Sequence, residues 1–527
     1  MTGSCESFGS PSGSSAVSGE KEPQLNIVDS EAQQLDMESR SEEDLKDVEA
    51  SAGNPPASKE EVKDPFVVDW DGPNDPNSPM TWPTMKKVRQ LAGMGFNSFL
   101  TPLSSSMFAP GEADVLAEFN STNKMLGSFV VTIFLLGYTV GPILIAPVSE
   151  IYGRLPLYHV CNTMFVIFTI ACAVSQSLPQ LFVFRFLAGV AGSCPMTLGS
   201  GTAADLITKE KRAGVMALWA MGPILGPVIG PVAGSFVCAN IGWRWVFWIL
   251  AIAGGVMLIA TIFCYRETYA PVLLERKAAA FRKETGNNQY RSKFDRGLTR
   301  KQLFYMAGVR PLKLLFRSPI VLCMTMFGAV SYGYLYLMFT TISSIFEDVY
   351  GWPSEMTGLA YLGFGVGCML GLSVTGRVAN RIAAKHSAQG RFTPESRLGP
   401  MLVGCWFLPI GLFWYGWSAE AHVQWVMPIV GTGIFGCGLM CVFLCINTYL
   451  VDSYIQFAAS VTAANAVTRS LVGCFLPLAG PSMYDTLGLG WGNSLLAFIA
   501  LAFCAFPVFL SRYGARIRTH PRFQLDL

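Results

Sequence analysis

Arg185 lies inside the apolar stretch LFVFRFLAGVAGS, residues 181–193. An arginine in a membrane helix costs at least about 2.5 kcal/mol unless it meets a partner or a cavity. A lone one therefore marks a functional position. The bland alternative is a side chain that snorkels to the outer surface. Glu150 and Arg154 stand four residues apart in GPILIAPVSEIYGRLPL, residues 141–157, a spacing that pairs side chains on one helix face. Gly141 and Gly153 in the same stretch permit a close approach or a tight turn. Polar groups suited to a substrate cavity are Asn97, with Thr101 and Ser104–106 beyond it, then Asn447, Asn465 and Arg469. Tyr332, Tyr334 and Tyr336, with Phe327 and Phe339, supply aromatic surface, and aromatic-rich cavities suit broad recognition. Alternate residues of a helix cannot all face one cavity, so lipid-facing positions are the competing reading.

Carboxylates, the usual proton carriers, are nearly absent from the apolar stretches: Glu150, Asp205 and Asp452 fall at their ends. No nucleophile–base pair, phosphate loop or metal cluster is legible, so the chain does not read as an enzyme, and neither cofactor nor metal is expected. Cys437, Cys441 and Cys445 share a helix face but have no histidine or carboxylate beside them, which favours packing over metal binding.

The elements that must hold these residues announce themselves by composition. The chain of 527 residues is 51% hydrophobic and only 14% charged, against about 25% charged in soluble domains. Six apolar windows long enough to cross a membrane occur between 86 and 265, and six more between 318 and 511. An all-α membrane protein of two six-helix bundles around a midplane cavity follows. Residues 1–85 read as a disordered acidic tail and pre-helix segment, with 15 acidic and 5 basic residues in the first 64 and no apolar leader. The connection 266–317 holds 13 Lys and Arg against 4 Asp and Glu, and 512–527 is a short basic tail. The excess of Lys and Arg places both termini and this connection in the cytoplasm. The sequon Asn120–Thr122 falls in the first outward loop, a glycosylation candidate consistent with that topology. Gly153-Arg154 and Gly376-Arg377, each after the second window of its half, suggest an internal repeat. A net charge of +2 gives no reason to expect a nucleic-acid partner.

GPILGPVIGPVAG, residues 222–234, is the most unusual stretch. Gly222, Gly226, Gly230 and Gly234 repeat every four residues and make a smooth groove that permits close helix contact in lipid. Pro223, Pro227 and Pro231 form an adjacent stripe, each freeing a carbonyl one turn back and bending the helix. A generic packing interface needs the glycines but not the prolines.

Several of these stretches resemble a known family. Residues 141–157 are similar to the signature between the second and third helices of the major facilitator superfamily, with Gly-x-x-x-(Asp/Glu)-x-x-Gly-Arg character. Glu150 stands where many members carry Asp, and Ala146 where many carry Gly. The resemblance implies that Gly141, Glu150, Gly153 and Arg154 form a cytoplasmic latch between the bundles in the outward-facing state. Arg185-x-x-x-Gly189 resembles the fourth-helix motif, whose arginine is linked to proton transfer. The Gly-Pro ladder resembles the fifth-helix motif of drug:proton antiporters. DWDGPNDPNSPMTW (69–82), WRWVFWI (243–249), RETYAPVLLERKA (266–278), RPLKLLFRSPIV (310–321) and FLPLAGPSMYDTLGLGWGNSLLAFIA (475–500) resemble fungal twelve-span members of the polyamine and multidrug-resistance-like branch.

The resemblance implies a proton-coupled exporter of small, mostly apolar toxins, drugs or fungal secondary metabolites in the plasma membrane, with the vacuolar membrane as the other location. Its partners would be a small-molecule substrate, protons and the lipid bilayer, and the chain would act as a monomer. The scarcity of buried acids leans toward neutral or weakly charged substrates. Two alternatives stay open. An uptake symporter or facilitator of the same fold is one, although RETYAP stands where a sugar porter would carry Pro-Glu-Ser-Pro-Arg, and PESRL at 394–398 is a partial match in another loop. A non-transporting sensor is the other.

Overall fold

The computed structural model describes residues 66–72, 75–295, 300–389, 393–454 and 457–519. The acidic tail up to residue 65 and residues 520–527 lie outside the described residues.

The chain folds as two six-helix bundles. The first holds spans at Thr84–Ser106, Lys124–Tyr152, Arg154–Ala173, Leu178–Leu206, Lys209–Ile241 and Arg244–Cys264. The fourth of these bends at Ser193, between Leu178–Gly192 and Cys194–Leu206. The second bundle holds Pro319–Tyr350, Tyr361–Ala388, a ninth span of Gly399–Gly404 and Phe407–Glu420, and Val426–Ser453. The last two spans run from Ala458 to Phe503 and part at Gly488, whose φ of 74° reverses the chain.

Ten described stretches are long and apolar enough to cross a membrane, one of them being the joined pair that parts at Gly488. The first span is absent from those ten because its inner face is polar: Asn97, Ser98, Thr101, Ser104, Ser105 and Ser106 are all buried. Counting it and separating the joined pair gives twelve. A hydrophilic face on a membrane helix is tolerated only where protein or a water-lined cavity covers it, so the first span belongs at the centre.

The prolines do not interrupt the fifth span, which is helical for 33 residues through Pro223, Pro227 and Pro231. The first and eighth spans pack on it from either side.

The connection between the bundles is structured. Helices Ala270–Thr285 and Arg300–Arg317 occupy it, and Val67–Val68 pairs in parallel with Arg291–Ser292. Lys277 Nζ donates to Asp71 Oδ1 at 2.6 Å, and Lys293 Nζ to Asp69 Oδ2 at 2.7 Å. The pre-helix segment, read apart from the disordered tail, is thus tied at Asp69 and Asp71 to the basic residues of that connection.

Candidate functional site

The fifth span is one joint between the bundles, and the second and eleventh spans, which pack on each other, are another. A side chain added at Gly222 would come within 3.0 Å of Gly95 O and Phe99 N, and one at Gly226 within 2.8 Å of Leu103 N. At Gly230 it would meet Met107 N at 3.0 Å, and at Gly234 it would run into Met107 O. The ladder therefore lays its backbone on the first span at four successive turns. The other flank of the same helix meets the second bundle. Pro231 O and the Val232 backbone lie against Gly358, at 2.7 and 2.9 Å from where a Cβ would stand, and Val228 lies against Gly365. One helix, smooth along its glycines on one side and carrying the prolines beside them, fits between the first and eighth spans.

Arg185 is 1% exposed, which rules out the snorkelling reading. Its guanidinium donates to Val130 O at 2.7 Å, Val131 O at 3.3 Å and Ser105 O at 3.4 Å. The rings of Phe108, Phe134 and Phe247 surround it at 5.1–5.5 Å. The carbonyls it uses belong to the first and second spans, so its charge holds three helices together without a carboxylate.

Ser105 extends that contact across the bundles. Its hydroxyl lies 2.7 Å from the Tyr336 hydroxyl of the seventh span. Tyr336 packs on Tyr332 at 5.0 Å between ring centroids, and Arg469 of the eleventh span sits 4.7 Å over the Tyr332 ring and 5.7 Å over Phe443. Tyr332 and Tyr336 meet because residues four apart stack on a helix face. Tyr334, turned away by about 100° per residue, is buried elsewhere, with a hydroxyl that has no partner among the described residues. One helical turn from Arg469, Asn465 Nδ2 donates to Asn447 Oδ1 at 3.2 Å, and Asn447 Nδ2 to Phe443 O at 2.9 Å. Asn465 Oδ1 is buried without a partner among the described residues. From the first bundle, Tyr138 and Thr101 approach the same place, and the Tyr138 phenol lies in the field of Arg469. The expected cavity residues Tyr332, Tyr336, Asn447, Asn465 and Arg469 are thus brought together. Asn97 is not with them: its Nδ2 donates to Asn162 Oδ1 at 3.2 Å, and Asn162 in turn to Thr261 Oγ1 at 3.2 Å, a polar link inside the first bundle. Tyr138 was missed because a single tyrosine in an apolar helix carries no sequence signal.

The Glu150–Arg154 pair is not formed. The second span ends at Tyr152, Gly153 has φ 98°, and Arg154 opens a new helix, so the four-residue spacing no longer stacks the two side chains. Glu150 is exposed. Arg154 Nε instead donates to Asp205 Oδ2 at 2.6 Å, and its backbone amide to Glu267 Oε1 at 3.0 Å. Glu267, from RETYAP, also accepts from the amides of Leu155, Thr268 and Tyr269. A carboxylate at a helix N-terminus satisfies donors that have no partner within the helix. Gly141 packs on Ser193 and Val190 O of the fourth span. All these contacts lie within the first bundle and the segment that follows it.

The repeat in the second bundle is also placed differently from the sequence echo. Gly376-Arg377 falls inside the helix Tyr361–Ala388, with Arg377 exposed. The counterpart of Arg154–Asp205 is Arg397–Asp452, with Nε donating at 2.8 Å, so PESRL holds a second copy of the charge pair.

At the opposite end, Asn120 is exposed at φ 52°, between helix Glu112–Glu118 and the second span. Glu118 accepts from Arg244 at 2.6 Å and from Trp243 Nε1 at 2.8 Å, which accounts for the WRW triplet. Glu112 opens the short helix Glu112–Glu118 at this end. Its Oε1 accepts from Ser128 at 3.2 Å, its Oε2 is buried without a partner among the described residues, and burial pushes its pKa up to about 8.

No group of three or more metal-ligating side chains occurs among the described residues. The cysteines at 441 and 445 are buried, and Cys441 Sγ lies 3.5 Å from Pro400 O, a packing environment.

Comparison with known proteins agrees with this architecture. Residues 94–477 match the family model described as Major Facilitator Superfamily. The chain is 54% identical over 471 residues to the MFS-type transporter penM of Penicillium rubens, covering 89% of this chain and 92% of that one. It is 45% identical over 472 residues to the efflux pump radE of Floropilus chiversii, covering 89% and 88%. Among solved structures it resembles the xylose transporter XylE from E. coli in a partially occluded inward-open conformation, with TM-score 0.61 over 82% of this chain and 98% of that one. The 12% identity of that match speaks to the fold alone. With twelve spans in two bundles joined along the fifth helix, the chain belongs to the major facilitator superfamily, and it is a membrane transporter rather than an enzyme.

Proposed function

We propose that this transporter exports small, largely apolar compounds, toxins or secondary metabolites, from the cytoplasm across the plasma membrane by proton-coupled alternating access. The observation that carries the reading is the Gly-Pro ladder of the fifth span, packed backbone to backbone on the first span while its other flank bears on the eighth. A helix so placed moves with one bundle and seals against the other, which limits leak when substrate and proton travel in opposite directions. The relative radE is called an efflux pump, which supports the direction.

In this reading the basic connection and both termini lie in the cytoplasm, as the Lys and Arg distribution favours. Asn120 then faces outward and is open to glycosylation. Arg154–Asp205 and Arg397–Asp452 brace the cytoplasmic ends of the two bundles, and the latch role of Gly141, Gly153 and Arg154 is exerted through that brace. Arg185 serves the proton path by setting the field around Ser105 and Tyr336. The substrate wall is Tyr332, Tyr336, Asn447, Asn465 and Arg469.

The test is expression in transporter-depleted yeast, scoring resistance and accumulation over a toxin panel with and without a protonophore. Lower accumulation that the protonophore abolishes is expected. Raised accumulation would point to uptake, and protonophore-insensitive export would remove the proton coupling.

A further inference from the structure

Arg469 is a charge within a span that has no hydrogen-bond or ion-pair partner among the described residues. It stands 11 residues into the helix that starts at Ala458, about 16 Å along its axis at 1.5 Å per residue. That depth is near the middle of a bilayer whose hydrocarbon core is about 30 Å thick. Among the described residues neither an ion pair nor a hydrogen bond engages the guanidinium, and its Nε is buried. Its neighbours are the ring faces of Tyr332 and Phe443.

The contrast with Arg185 is instructive. Arg185 spends its donors on three carbonyls and is shut off by three phenylalanines. That arginine already has protein acceptors for its donors. Arg469 is only partly buried, and its planar fork of donors has no hydrogen-bond partner among the described residues at the wall where the two bundles meet. A guanidinium fork matches a carboxylate or another planar oxyanion in geometry as well as charge. One turn away, Asn465 Oδ1 is a buried acceptor with no donor among the described residues. Tyr332, Tyr336 and Phe443 form an aromatic surface beside both.

We infer that Arg469 is the anion-binding residue of the substrate site, and that the compounds carried are lipophilic organic acids, ionised as carboxylates or enolates. The apolar body of such an acid lies on Tyr332, Tyr336 and Phe443, its oxyanion on the Arg469 guanidinium, and a neighbouring hydroxyl or N–H on Asn465 Oδ1. The cost of holding an unpaired arginine at mid-membrane is offset when the acid binds, so the site prefers the charged form over a neutral analogue. This differs from the neutral substrates expected from the scarcity of acids: that scarcity argues against cations, and the free cation on the wall argues for anions. The inference rests on the transport reading only in placing the substrate at this wall.

The test is equilibrium binding to the full-length protein in lipid nanodiscs, with empty nanodiscs as control and radiolabelled 2-naphthoate and its neutral partner 2-naphthamide as probes. Saturable binding of the acid at least about tenfold tighter than the amide is expected. Arg469→Gln should abolish that preference, and Arg469→Lys, which keeps the charge, should retain most of it. Equal affinity for acid and amide, no saturable acid binding, or an undiminished preference in Arg469→Gln overturns the inference. If Arg469→Gln does not fold, the preference of the unaltered chain and the behaviour of Arg469→Lys decide the matter. Binding needs no gradient and no direction, so failure here is separate from failure of the export reading. Acid binding without efflux from yeast would overturn export alone. Efflux that persists with no acid preference would overturn the anion site alone.

Discussion

Ser105 Oγ and Tyr336 Oη lie 2.7 Å apart and join the first span of one bundle to the seventh span of the other. Both groups are buried, and the Ser105 carbonyl of the same residue accepts from Arg185. The bond thus ties the buried arginine of the first bundle to the aromatic wall of the second. A buried neutral hydrogen bond contributes about 1 kcal/mol net. In a double-mutant cycle on thermal unfolding, Ser105→Ala and Tyr336→Phe should each destabilise, with a coupling of about 1 kcal/mol between them. Strictly additive effects would mean that the two hydroxyls do not support one another.

The ladder makes a steric prediction. Gly226→Leu places a side chain where Leu103 N and Phe99 O already lie within 2.9 Å of the first added carbon, so the fifth and first spans must separate. Transport should be lost while the protein still reaches the membrane. Gly255→Ala in the sixth span is the control, since no heavy atom lies within 4 Å of its added carbon and transport should persist. Normal transport by Gly226→Leu would show that the close packing is dispensable.

Arg185→Ala leaves the carbonyls of Val130, Val131 and Ser105 without their donor and the phenylalanine cage without its cation. Transport in this variant should lose its dependence on external pH. A pH profile identical to that of the unaltered chain would take Arg185 out of the proton path, whatever the drop in overall rate.

Glu112 links stability to pH. An exposed glutamate titrates near about 4.3, and burial in the folded chain pushes Glu112 up to about 8. The groups around it are the Ser128 hydroxyl, which donates to it, and the Tyr361 phenol, which lies in its field. The native chain therefore keeps a proton that the unfolded chain releases. Its stabilising contribution is complete below about pH 4.3 and disappears as pH rises through about 8. Melting temperature should fall between about pH 5 and about pH 8 in the unaltered chain, and Glu112→Gln should flatten that slope. An equal slope in both would mean that another group sets the pH dependence.

Much of this protein is legible in its sequence. Length, apolar periodicity and the distribution of Lys and Arg determine twelve spans in two sixes, because lipid tolerates only helices of a given length and apolarity. The Gly-Pro repeat determines a smooth face on the fifth helix, because a four-residue period keeps one face in line. Arg185 declares itself because an unpaired charge in an apolar run is expensive. What the tertiary structure decided is partnership, which depends on distances between residues far apart in the chain. It gave Arg154 to Asp205 because Gly153 breaks the helix between Glu150 and Arg154. It moved the repeat from Arg377 to Arg397, removed Asn97 and Tyr334 from the aromatic wall, and brought Tyr138 to it. It buried Glu112, which reads in sequence as one more acid in an outward loop. Above all it separated two arginines that look alike in sequence: Arg185 is enclosed and bonded to three carbonyls, while Arg469 has no hydrogen-bond partner among the described residues and lies beside two rings, a distinction that only the packing of neighbouring helices can make.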